Sequence, residues 1–181
     1  MNSWEPVLRK YLRDYGYLLS LAALIITLDQ WTKALVRSNL DFEEIWSPWH
    51  WLLPYARIVH WKNTGAAFGI FQGFGGVFTV LAIVVALAIL YYFPQVPRQD
   101  WTLRLAMGMQ LSGALGNLID RLTQGYVTDF ISIGTFPVFN VADSSISIGT
   151  AILILGMWYR ERHTMPVEPA SPISPEEIQG E

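Results

Sequence analysis

The chain has no cysteine. Disulfides, thiol nucleophiles and thiolate metal sites are therefore excluded, and the protein cannot itself be acylated on cysteine. Histidine is nearly as scarce. His50, His60 and His163 are the only three and lack ligand-like spacing, which speaks against a zinc hydrolase. Charged residues make up 15% of the chain, well below the roughly 25% of an ordinary soluble domain. The net charge of −3 and the lack of a basic cluster speak against a nucleic-acid partner. What is present is apolar: 52% of the 181 residues are hydrophobic and 14% aromatic. That length suits one domain.

Four apolar segments define the expected fold class, an α-helical membrane protein. Tyr15 to Leu28 is uncharged and continues past Asp29 to about Val36, and Phe74 to Phe93 is an uncharged run of 20 residues. Trp101 to Ile119 carries only Arg104, and Val141 to Tyr159 only Asp143. A spanning helix needs about 20 mostly apolar residues. Four transmembrane helices are expected, at about 15–36, 74–93, 101–120 and 141–159. They make residues 1–160 a single polytopic membrane domain. Basic residues lie close to one set of helix ends: Arg9, Lys10 and Arg13, then Arg98 and Arg104, then Arg160 and Arg162. That clustering favours both termini in the cytoplasm. The first segment lacks a small-x-small cleavage site and reads as a retained anchor. Residues 1–15 read as a short basic lead-in, and the Pro-rich stretch 161–181 as a disordered cytoplasmic tail.

Between the first two helices lies a long loop, 38–73. SNLDFEEIWSPWHWLLP mixes tryptophans with acids and is expected to form an interfacial amphipathic helix. YARIVHWKN has strand-like composition, and NTGAAFGIF, with Gly65 and Gly69, allows a turn. Together they predict a small extracytoplasmic β platform. Asn63 sits at its bend, either as an ordinary turn residue or as part of a site.

The densest polar stretch among apolar neighbours is Gly113 to Ile148, which holds Asn117, Asp120, Arg121, Asp129, Asn140 and Asp143. Ionisable groups near membrane depth are costly and usually mark a site. Asn117 and Arg121 are four apart and share a helix face. GYVTDFISIG alternates like a short strand carrying Asp129. Asn140 is a natural N-cap, which puts Asp143 at the third helical position, either as a dipole-favoured acid or as a catalytic one. Asp29 and Lys33, also four apart, read as an ion pair or as the rim of a polar cavity. Without thiols or a metal cluster, hydrolysis would most simply use two facing carboxylates that share a proton. Asp129 and Asp143 meet that requirement if the strand folds back on the entrance of the fourth helix. On the residues alone, a peptidase, a proton-coupled transporter and a structural membrane subunit all stay open.

Five blocks decide among them: DQWTK (29–33), NTGAAFGIF (63–71), GALGNLIDR (113–121), GYVTDF (125–130) and FNVADSSI (139–146). In this order on a four-helix pattern, the chain closely resembles lipoprotein signal peptidase, or signal peptidase II. The resemblance implies an aspartyl endopeptidase of the bacterial inner membrane with its site near the outer face. It implies Asp129 and Asp143 as the catalytic dyad. Asn63, Asn117, Arg121, Asn140 and Asp29 are implied as substrate-positioning or supporting residues. It implies no metal and no cofactor. The expected partners are diacylglyceryl-modified prolipoproteins and membrane lipids, with no nucleic acid, and the expected state is a monomer. With Asp143 near a helix N-terminus, Asp129 is expected to hold the shared proton.

Overall fold

The computed structural model describes residues 4–65 and 71–163. Gly69 and the expected tail from residue 164 onward lie outside the described residues. Four α-helices, α1 (Glu5–Asn39), α2 (Gly75–Tyr92), α3 (Trp101–Gln124) and α4 (Val141–His163), run up and down. Three strands, β1 (Ile45–Trp46), β2 (Ala56–Asn63) and β3 (Val127–Ile133), form one antiparallel sheet in the order β1-β2-β3. The sheet belongs to the end of the bundle where α1 and α3 finish and α2 and α4 begin.

Three helical stretches are long and apolar enough to cross a membrane: Glu5–Asn39, Gly75–Gln95 and Val141–Arg162. Their large apolar side chains, such as Leu24, Leu87 and Leu155, are exposed on the bundle surface. The helix α3 is different. It packs against α1, α2 and α4 and buries Arg104, Ser112, Asn117 and Asp120 along with its small residues. Its polar content is tolerable because protein, not lipid, surrounds it. At its far end Gly125 takes φ 79° and donates its N–H to the Arg121 carbonyl, a glycine C-cap.

Three boundaries differ from those expected from sequence. The basic lead-in is not a separate element, because α1 is continuous from Glu5. The last helix continues through His163, so the first residues assigned to the tail are helical. The interfacial amphipathic helix is absent among the described residues of 38–65. That segment holds β1 and a single 3₁₀ turn, His50–Leu52. Glu43 takes a positive φ of 65°, His60 N–H donates to the Glu44 carbonyl, and Ile45 and Trp46 pair with Val59 and Ile58. Pro48 and Pro54 bracket what is left, too short a span for more than one turn.

The small residues of GALG have a specific use. A Cβ on Gly113 would overlap the Ala142 carbonyl oxygen and the Ile146 side chain, and one on Gly116 would sit 2.8 Å from Asp29 Oδ2. Both glycines let α3 approach the start of α4. Gly113→Val is expected to lower the detergent melting temperature, at an overpacking cost of about 1–3 kcal/mol. An unchanged melting curve would contradict this close approach.

Candidate active site

The sheet and the start of α4 meet through a fold-back after β3. Gly134 turns the chain with φ 53°, and Phe139 returns against Ile131, exchanging N–H···O bonds of 2.8 and 3.0 Å with it. Asn140 follows at once and caps α4. Its Oδ1 accepts the Asp143 N–H at 2.9 Å, and its own N–H donates to Asp143 Oδ2 at 3.3 Å. This is a reciprocal capping box, with Asp in the role usually taken by Glu. The expected N-cap is therefore present, and the first-turn acid is held by it.

Asp129 lies on β3 beside a bulge. Ile58 pairs with Ile131 but Trp61 pairs with Asp129, so β2 carries one extra residue there. Bulges re-aim side chains in this way next to functional sites. Asn63, diagonal to Asp129 across the pair, donates Nδ2 to Asp129 Oδ2 at 2.9 Å. Its Oδ1 accepts the Gly65 N–H at 2.9 Å, closing an Asx turn. Asn63 is thus a turn residue whose side chain also reaches Asp129. Asn140 Nδ2 donates to Asp129 Oδ1 at 2.7 Å, so one asparagine binds both aspartates.

Asn117 links the site to the buried charges below it. Its Nδ2 donates to Asp143 Oδ1 at 2.7 Å, while its Oδ1 accepts Lys33 Nζ at 3.0 Å and Asn140 Nδ2 at 3.1 Å. Lys33 Nζ also lies 2.9 Å from Asp29 Oδ2 and 3.2 Å from Asp120 Oδ2. Asp120 accepts the Thr128 N–H at 2.9 Å, tying α3 to β3 one residue before Asp129.

Asn63, Asn117, Arg121, Asp129 and Asp143 all line one open cavity of about 530 Å³, with Phe139 and Ser144 among its other walls. Two expected substrate-binding residues are placed differently. Asn140 is fully buried behind the aspartates, and Asp29 is fully buried below them; neither lines the cavity. Asp29 instead pairs with Lys33 and accepts the Ala142 N–H at 2.9 Å, a second cap for α4 supplied from α1. Of its two sequence readings the ion pair describes it and the cavity rim does not. Asp120, named from the sequence only among the polar residues of 113–148, is fully buried. Its spacing of three from Asn117 was the available signal that it shares the buried face.

Burial first, and the neighbouring Asp143 second, raise the Asp129 carboxyl to about 7. The hydrogen bonds from Asn63 and Asn140 and the charge of Lys33 act against this. A carboxyl poised near neutrality can both hold and release a proton at working pH.

A family model described as Signal peptidase (SPase) II matches residues 21–159, which include all five motif blocks. Proteins named lipoprotein signal peptidase are similar along most of the chain. The one from Acinetobacter baylyi is 38% identical over 80% of this chain and 83% of its own length. That from Halothermothrix orenii is 39% identical over 77% and 93%. Two solved structures described as bacterial membrane enzymes share the fold. One has a TM-score of 0.77 at 28% identity, covering 85% of this chain and 94% of its own. The other has 0.70 at 30%, covering 78% and 92%. A peptidase-family model over more than half the sequence, met by relatives above 30% identity along most of their lengths, means that the chain belongs to the signal peptidase II family.

Proposed function

We propose that the protein is a membrane-embedded aspartyl endopeptidase that removes signal peptides from diacylglyceryl-modified prolipoproteins, cutting before the lipidated cysteine. The observation that carries this reading is the common cavity of Asp129 and Asp143, with Asn140 bound to both carboxyls. Asp129 holds the shared proton at rest. Asp143 takes a proton from a water as its oxygen attacks the scissile carbonyl, and Asp129 donates to the carbonyl oxygen. On collapse of the tetrahedral adduct Asp143 gives its proton to the leaving nitrogen as the C–N bond breaks, and a hydroxyl of the adduct returns a proton to Asp129. Asn63, Asn117 and Asn140 keep the two carboxyls oriented, and Arg121, on the cavity wall, grips a substrate carbonyl.

The membrane arrangement belongs to the same proposal. Four helices span, α3 among them because its polar residues are enclosed by its neighbours. Both termini lie in the cytoplasm of a bacterium, and the sheet and cavity lie near the outer face of the inner membrane. A lipidated segment enters between sheet and bilayer, where Trp46, Trp49 and Trp51 are exposed. The test is cleavage of a purified prolipoprotein with and without the diacylglyceryl group, in the presence of a chelator. Cleavage of the lipidated form alone, unaffected by the chelator, is expected; metal dependence or indifference to the lipid would overturn the reading.

The pH profile has a predicted sign. Rate in kcat/KM should fall as pH rises through about 7, where Asp129 loses the proton it must donate. Asn63 stabilises the carboxylate of Asp129, so Asn63→Ala should move this alkaline limb upward while lowering the rate at neutral pH. A limb that stays put or moves down would remove Asn63 from contact with the proton donor.

A further inference from the structure

The end of the bundle away from the aspartates holds a second built cluster. Asp14 and Asp29 are fifteen residues apart on α1, roughly 22 Å along its axis. Asp14 is 1% exposed, and its Oδ1 takes every N–H it receives: Arg98 Nε and Nη2 at 3.1 Å each and Arg104 Nη2 at 2.9 Å. Asp14 Oδ2 is buried with no donor among the described residues. Arg104 is itself buried, donating to the Val96 carbonyl and stacked 4.3 Å from the Phe93 ring. Arg13 is exposed beside them and has no ion-pair partner among the described residues. These four residues line a pocket of about 290 Å³ together with Tyr17 and Trp101.

The charges do not cancel: three arginines face one carboxylate. The pocket opens where α1 and α3 carry exposed Tyr11, Tyr17 and Trp101, residues suited to the headgroup level of a bilayer. A ligand that fits must be anionic toward Arg13 and toward Arg98, whose side chain is 39% exposed. The phosphate of an anionic phospholipid carries that charge and sits at the depth of those rings. We propose that this pocket binds an anionic phospholipid headgroup, its phosphate on Arg13 and Arg98. The site is separate from the peptidase cavity, and the proposal stands or falls without it.

The test is native mass spectrometry of the full chain in detergent, titrated with phosphatidylglycerol, phosphatidylethanolamine and phosphatidylcholine, with inorganic phosphate as the soluble competitor. Phosphatidylglycerol is expected to bind saturably, and the zwitterionic phosphatidylethanolamine and phosphatidylcholine several-fold more weakly. Arg13→Gln/Arg98→Gln should weaken binding by about tenfold or more. Prolipoprotein cleavage in detergent should continue in this variant, because both arginines are remote from the aspartates. Should the double variant fail to fold, Arg13→Gln alone, which breaks no described hydrogen bond, is expected to weaken binding several-fold. The proposal is overturned if the arginine variants bind as the parent does, if phosphatidylcholine binds equally well, or if millimolar inorganic phosphate displaces the lipid.

Discussion

Asp129→Asn and Asp143→Asn are each expected to cut prolipoprotein cleavage by at least about 100-fold while leaving a folded, membrane-inserted protein. The size follows from losing a positioned proton donor or acceptor. The retained fold follows from the hydrogen bonds. Each aspartate accepts two side-chain or backbone N–H groups, Asp129 from Asn63 and Asn140, and Asp143 from Asn117 and the Asn140 N–H. An asparagine keeps one acceptor oxygen and turns its amide against the other donor. That costs about one hydrogen bond, roughly 1 kcal/mol, and relieves some burial of charge. Cleavage and detergent melting measured on the same preparations separate the effects. The double variant should be no slower than the worse single one, because two groups that act as a unit are not additive. Turnover within tenfold of the parent in either single variant would sink the dyad.

How much of this could be read from the chain depends on sequence distance. Local features were legible. The alternation in GYVTDF gave β3, Asn140 gave the N-cap, and the spacing of Asn117 and Arg121 put both on the cavity face. The meeting of Asp129 and Asp143 was not legible, because it depends on Gly134 and on the return of Phe139 against Ile131. A turn of that kind is weakly marked in sequence. The interfacial helix failed for a related reason: composition suggested an amphipathic element, but pairing with β2, a non-local partner, made a strand of Ile45 and Trp46. Asp29 illustrates a third limit. Its pairing with Lys33 follows from helix spacing, whereas its bond to the Ala142 N–H joins residues 113 apart. Arg104 was read as a charge marking a helix end, and the structure buries it against Asp14 on a different helix.

The largest expected stability effect lies below the aspartates, at Lys33. Its ammonium is fully buried and serves Asp29, Asp120 and Asn117 at once. Arg37 reaches Asp120 only at 3.5 Å, and no other cation is paired with Asp29 among the described residues. Lys33→Met therefore leaves a buried carboxylate without its counter-charge, at a cost of about 3–5 kcal/mol. Activity should fall as well. Lys33 donates into Asn117 Oδ1 and so keeps Nδ2 turned toward Asp143. Without that bond only Asn140 Nδ2, at 3.1 Å, still holds the Asn117 amide in this orientation. Adding Asp29→Asn removes the orphaned charge while keeping an acceptor for the Ala142 N–H. Lys33→Met/Asp29→Asn should thus melt higher than Lys33→Met alone, though still below the parent, because Asp120 stays underpaired. A Lys33→Met protein within about 1 kcal/mol of the parent, or a double variant less stable than the single one, would show that this cluster does not hold α1, α3 and the start of α4 together.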